Sequence, residues 1–195
     1  MQDKKKQNQS SLEYRQDHRT TQKFQEDIKK YTKNESVAAK LVCLNIKSLG
    51  NSVSYTNNGM NNSGKLITNH KNVNAEADFL FTINSRKYLY EIKVHPEKFS
   101  YMTLKHSNLI TYLKTKARIL IVRESGYYIF RPKAIEWILQ EIPEKTYYKF
   151  AGNKPSHRLY KDNVDSLLQT RGLTYVKWHK KVLPELEKSK FIFKR

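Results

Sequence analysis

Two apolar stretches, 77–83 and 87–94, stand on either side of Asn84-Ser85-Arg86. Tyr, Phe, Ile and Val dominate both, and the residues between them are turn formers. That pattern predicts a β-hairpin, with Pro96 closing its second arm. A hairpin with two largely apolar arms cannot stand alone in water and needs helices or further strands over its faces.

The surroundings supply them. Phe24, Ile28 and Tyr31 recur at helical spacing in a short amphipathic segment. Thr32-x-x-Glu35 reads as a capping box, so a second helix is expected over 35–49, stopped by Gly50. Val53 and Tyr55 can start a strand. The rest of 50–72 is rich in Asn, Ser and Gly and reads as a polar loop. After the hairpin, Met102, Leu109 and Leu113 predict a helix over 99–113 that carries Lys105 and His106. The run 117–122 reads as a buried strand, 127–130 as its successor, and Pro132 as the first turn of a helix. The resulting class is α/β, with a mixed central sheet flanked by helices and no glycine-rich nucleotide loop.

Three regions are expected: a flexible basic tail over 1–20, a core over 21–141, and a basic extension over 142–195 packed on the core. The extension holds 13 Lys and Arg against 5 Asp and Glu, a net of +8. Tyr147, Tyr148 and Phe150 suggest a strand in it, Asp162 a helix start, and 173–178 another strand.

Charge narrows the partners. The chain has 37 Lys and Arg against 18 Asp and Glu, a net of +19 over 195 residues. So large an excess attracts polyanions, nucleic acid first. Arg158, Lys161, Lys177, Trp178, His179, Lys180 and Lys181 combine cations with an aromatic and are candidates for phosphate or base contact. The plainer reading of such a run is a solvated surface. The single cysteine, Cys43, excludes an internal disulfide and is expected to be buried. His70, His95, His106, His157 and His179 have no short ligand spacing, which argues against zinc. No apolar run follows Met1, and no stretch approaches the ~20 apolar residues of a membrane span. An intracellular protein is expected.

The chemistry concentrates on the hairpin. Asp78 is expected to open its first arm, and Glu91 and Lys93 lie on the second, two apart and so on one face. Charges among apolar neighbours are costly unless they pair or bind a metal. Two carboxylates suit a hard divalent cation, which polarises a phosphate and acidifies bound water. Lys93 can orient or deprotonate that water, or stabilise developing negative charge. The plainer alternative is a Glu–Lys surface pair with Asp78 in a turn.

The segment Asp78…Glu91-Ile92-Lys93 resembles the PD-(D/E)XK nuclease superfamily, and the layout over 35–122 is similar to that family's core. The chain has Ala77 where the family name has Pro. The resemblance implies a restriction-endonuclease-like fold and a Mg²⁺-dependent DNA endonuclease, with Mn²⁺ able to substitute and no small-molecule cofactor. It implies metal ligation by Asp78, Glu91 and the main-chain carbonyl of Ile92, with Lys93 catalytic. Glu35 matches an acidic residue that supports the metal, although capping with Thr32 explains it equally. Glu76 is an auxiliary carboxylate candidate, Lys105 a phosphate contact and His95 a proton shuttle. A homodimer acting on DNA is expected, either a Holliday-junction resolvase or a sequence-specific restriction or homing enzyme. A non-catalytic nucleic-acid-binding protein and an RNA-directed nuclease are the competing classes.

Overall fold

The computed structural model describes residues 21–58, 77–146, 154–170 and 172–194. The expected tail over 1–20, the loop over 59–72, Glu76, His70 and the strand expected at Tyr147–Phe150 lie outside the described residues.

A single helix, α1 (Thr21–Ser48), replaces the two expected helical segments. No Gly or Pro interrupts it, and Lys23 pairs with Asp27 one turn on at 3.3 Å. Thr32-x-x-Glu35 therefore lies inside the helix and caps nothing. Past its end Gly50 takes φ +84°, the left-handed geometry that turns the chain back.

Strands β1 (Val53–Asn57), β2 (Phe79–Ile83) and β3 (Arg86–Val94) form an antiparallel meander. The β2–β3 turn is tighter than expected. Asn84 and Ser85 alone span it, both at positive φ (47° and 66°), and Arg86 already belongs to β3. Asn84 is fixed there, its Nδ2 donating to Asn51 Oδ1 at 2.8 Å and its Oδ1 accepting from Ser52 N at 3.0 Å.

The expected helix over 99–113 is two elements. Strand β4 (Tyr101–Lys105) comes first, and α2 (His106–Lys114) starts only at His106. Met102 and Leu104 are buried at a spacing of two, a strand period. Their partner, β8 (Pro155–Tyr160), lies far along the chain.

β5 (Arg118–Val122) returns parallel to β3, and β6 (Gly126–Phe130) and α3 (Pro132–Glu141) follow. After β7 (Glu144–Thr146) and β8 come α4 (Lys161–Thr170) and β9 (Leu173–Lys177), then a 3-10 turn at Lys180–Val182, α5 (Leu183–Lys188) and a 3-10 turn at Lys190–Phe193.

Among the described residues, six strands make the central sheet in the order β1-β2-β3-β5-β6-β9. Only β3–β5 is parallel, so the sheet is mixed, as expected for the class. A second, antiparallel sheet has the order β4-β8-β7. At Gly126 the β9 backbone comes so near that a Cβ would collide with the Val176 carbonyl oxygen.

Strand alternation divides the core. Phe79, Phe81, Tyr90 and Ile92 join Ala38, Leu41 and Val42 of α1 on one face, closed by Trp178, Val182 and Phe193. Ile119, Ile121 and Phe130 join α2, α3, α4 and the small sheet on the other. Each fully buried Phe or Ile stabilises by about 1.5–3 kcal/mol. Cys43 is buried, as expected. No described helix is long and apolar enough to cross a membrane.

Candidate active site

The β2–β3 register pairs Phe79 with Tyr90, so Asp78 meets Glu91 one step further along. Asp78 does not open β2. It lies in the bend just before it, where its carbonyl accepts from Asn58 N at 2.7 Å. Its carboxyl hydrogen-bonds to Glu91. Glu91 and Lys93 share one face of β3, and the Lys93 ammonium pairs with Glu91 at 2.5 Å and with Glu35 of α1 at 3.2 Å. Four sequence-predicted residues thus converge: Asp78, Glu91, Lys93 and Glu35. Because Glu35 caps nothing, its carboxylate is available for Lys93.

Two acids this close in a poorly hydrated place cannot both ionise easily. Burial, then the charge of Glu91, pushes Asp78 up to about 8 against the partial relief from Lys93. Burial raises Glu35 as well, with Lys93 opposing. For Lys93 burial disfavours the charge, but Glu91 and Glu35 outweigh it and hold the ammonium well above its ordinary pKa. Asp78 thus holds its proton far more tightly than an ordinary carboxyl.

Tyr112 of α2 is a member that sequence reading missed. It is buried at 4% exposure, hydrogen-bonds to Glu91 through its hydroxyl, and receives Asn108 Nδ2 at 3.3 Å. The signal available was its place three residues after the buried Leu109. The backbone offers a further oxygen. In a two-residue hairpin the residues closing the turn exchange hydrogen bonds, so Arg86, Tyr88 and Tyr90 face β2. Ile92, next in that phase, directs its carbonyl to the same edge, where Asp78 sits. All donors here are oxygens, and the two carboxylates are forced together, which fits a hard divalent cation.

A cavity of about 490 Å³ opens beside this cluster. Glu91, Lys93 and Tyr112 line one wall, and Tyr101, Lys105 and Arg158 of the small sheet line another. The Arg158 guanidinium lies over the Tyr101 ring at 4.1 Å. Lys105 ends β4 rather than lying on a helix. His95 also lines the cavity, with its Nε2 donating to Tyr101 O at 2.8 Å.

The other cations sit elsewhere. Lys161, Lys177, Lys180 and Lys181 are exposed, and none lines the cavity. Trp178 is a core residue, packed on Tyr127 with its indole N–H donating to Arg123 O at 3.1 Å, so it stacks on no base. His179 accepts from Lys181 N at 3.2 Å and starts the 3-10 turn. The histidines have no short ligand spacing in sequence, but the fold brings two of them together. His106 and His157, distant in sequence, meet with Glu144 where β4, β7 and β8 pair. Burial pushes His157 below its ordinary pKa.

No family model matches the chain, and no curated protein matches it in sequence. Among solved structures it is similar to the Holliday junction resolvase Hjc of the archaeal hyperthermophile Archaeoglobus fulgidus. The TM-score is 0.38 and the identity 8%, over 76% of this chain and 94% of that one.

Proposed function

We propose that this protein is a divalent-metal-dependent DNA endonuclease that hydrolyses phosphodiester bonds at the Asp78–Glu91–Lys93 cluster. The observation that carries this reading is the Asp78–Glu91 carboxyl pair with Lys93 against it, Glu91 and Lys93 lining a cavity that Lys105 and Arg158 also line.

Asp78, Glu91 and the Ile92 carbonyl would hold Mg²⁺ or Mn²⁺. The ion supplies polarisation of the scissile phosphate and a more acidic water. Beside Glu91 and Glu35, Lys93 is held as a cation that can stabilise the negative charge developing on the phosphate. Tyr112 and Glu35 hold Glu91 and Lys93 in place. Lys105 and Arg158 seat the flanking phosphates, and Arg158 brings the fork geometry suited to them. The net charge of +19 draws the polyanion in. Cutting both strands of a duplex calls for two such centres, hence a two-fold dimer.

Linear duplex, four-way junction, single-stranded DNA and RNA are each incubated with Mg²⁺ and with chelator. Metal-dependent cleavage of a DNA substrate, lost in Asp78→Asn and Glu91→Gln, is the expected result. Nucleic-acid binding without cleavage of any substrate would leave a binding protein instead.

A further inference from the structure

His106, Glu144 and His157 come from three different elements: the first residue of α2, β7 and β8. Glu144 and His157 are direct cross-strand partners. His106 Nδ1 lies 2.8 Å from Glu144 Oε2 and 2.9 Å from His157 Nε2, and one ligand atom from each residue lies within 4.8 Å of the others.

His157 is 1% exposed, and its Nδ1 donates to Ile142 O at 2.7 Å. A neutral imidazole with its proton on Nδ1 presents a lone pair at Nε2, the atom aimed into the cluster. A backbone carbonyl holding the far nitrogen of a histidine is the usual outer support of a metal ligand. His106 and Glu144 keep 35% and 44% of their side-chain surface in solvent, so the outer side is open to an ion and a water.

We propose that His106, Glu144 and His157 form a three-ligand site for a divalent transition-metal ion of the zinc class, separate from the carboxylate centre. None of the three residues lines the cavity. Two imidazoles and one carboxylate prefer a borderline ion to Mg²⁺. Ligands at about 2.0–2.1 Å from a tetrahedral ion stand roughly 3.3 Å apart, so the two contacts of His106, at 2.8 and 2.9 Å, open by about half an ångström to admit one. His106 moves its proton to Nε2, and three lone pairs then converge.

The site has a mechanical use. β7 is three exposed residues long and lies at the edge of the small sheet, paired with β8. An ion ties it and β8 to the start of α2, and so braces the sheet that carries Lys105 and Arg158.

The test uses full-length, untagged Asp78→Asn/Glu91→Gln protein, in which the carboxylate centre is disabled. After chelator treatment it is titrated with Co²⁺. One equivalent should bind with the visible absorption of a low-coordinate site, and Zn²⁺ should displace it. Zn²⁺ should raise the thermal midpoint by about 5 °C at a hundredfold excess over its Kd, and Mg²⁺ should not. Adding His106→Gln or Glu144→Gln, both at partly exposed positions, should abolish the absorption and the shift while leaving the metal-free midpoint within about 2 °C. A signal unchanged by both substitutions, or no cobalt uptake in the parent, overturns the site.

Discussion

The Glu35 carboxylate, halfway along the 28-residue α1, lies 3.2 Å from the Lys93 ammonium on the central hairpin. The helix thereby reaches the cluster on β3. Glu35→Gln keeps the shape and removes the charge, so cleavage should fall about 10–100-fold, as for other groups that orient a catalytic residue. Lys93→Ala and Lys93→Arg should both abolish cleavage with DNA affinity little changed. Combining Glu35→Gln with Lys93→Ala should add nothing to Lys93→Ala alone. Single-turnover cleavage beside binding isotherms gives the answer, and a wild-type rate for Glu35→Gln removes its role.

Asp78 at about 8 makes two pH effects. Metal binding must displace its proton, so the half-saturating Mg²⁺ should fall about tenfold from pH 6.5 to 7.5 and level off above pH 8. Stability runs the other way. The metal-free folded protein holds a proton that the unfolded chain, with an ordinary carboxyl near about 3.9, has released. This contribution is therefore complete below pH 4 and is lost as pH rises to about 8. Asp78→Asn should flatten that decline and stabilise the metal-free protein at pH 8 by about 1–2 kcal/mol, while losing activity. Urea melts from pH 5 to 9 with chelator present check the sign, and a parallel pH profile for the variant contradicts it.

Cavity-lining cations should matter more than the exposed ones near the C-terminus. Lys105→Gln with Arg158→Gln should lower the salt slope of duplex binding by up to about 0.9 for each phosphate that is no longer neutralised. Lys180→Gln with Lys181→Gln should lower it less. Equal slopes for the two pairs would show that the cavity wall has no special claim on the backbone.

Ser85 takes φ +66° in the two-residue turn, a geometry that glycine adopts without cost. Ser85→Gly creates the Asn-Gly pair such turns favour and should stabilise by a few tenths of a kcal/mol, with cleavage unchanged. Thermal melts decide, and a lower midpoint means the hydroxyl matters.

What is legible in the sequence is local. The hairpin announces itself through Asn84-Ser85-Arg86, and its register alone brings Asp78 to Glu91. The apolar run at 117–122 and Pro132 are equally plain, because each signal sits within its own element. The continuity of α1 is obscured by Thr32 and Glu35, whose spacing suits a cap and a helix interior alike. Strand β4 passes for helix because Tyr101–Lys105 is short and its partner β8 is remote, so nothing nearby marks Met102 and Leu104 as alternating. The same long-range pairing hides His157 from His106. Tyr112 is invisible as a site residue because its hydroxyl is tied to Glu91 only through the crossing of α2 over β3.

That division has a consequence for the order in which the molecule assembles. The β2–β3 hairpin closes over two residues, a microsecond event. Joining Leu104 to His157, or Tyr128 to Tyr175, means closing much longer loops, which entropy delays. The acidic pair is therefore set by short-range contacts, and the basic residues lining the cavity are brought together by long-range ones.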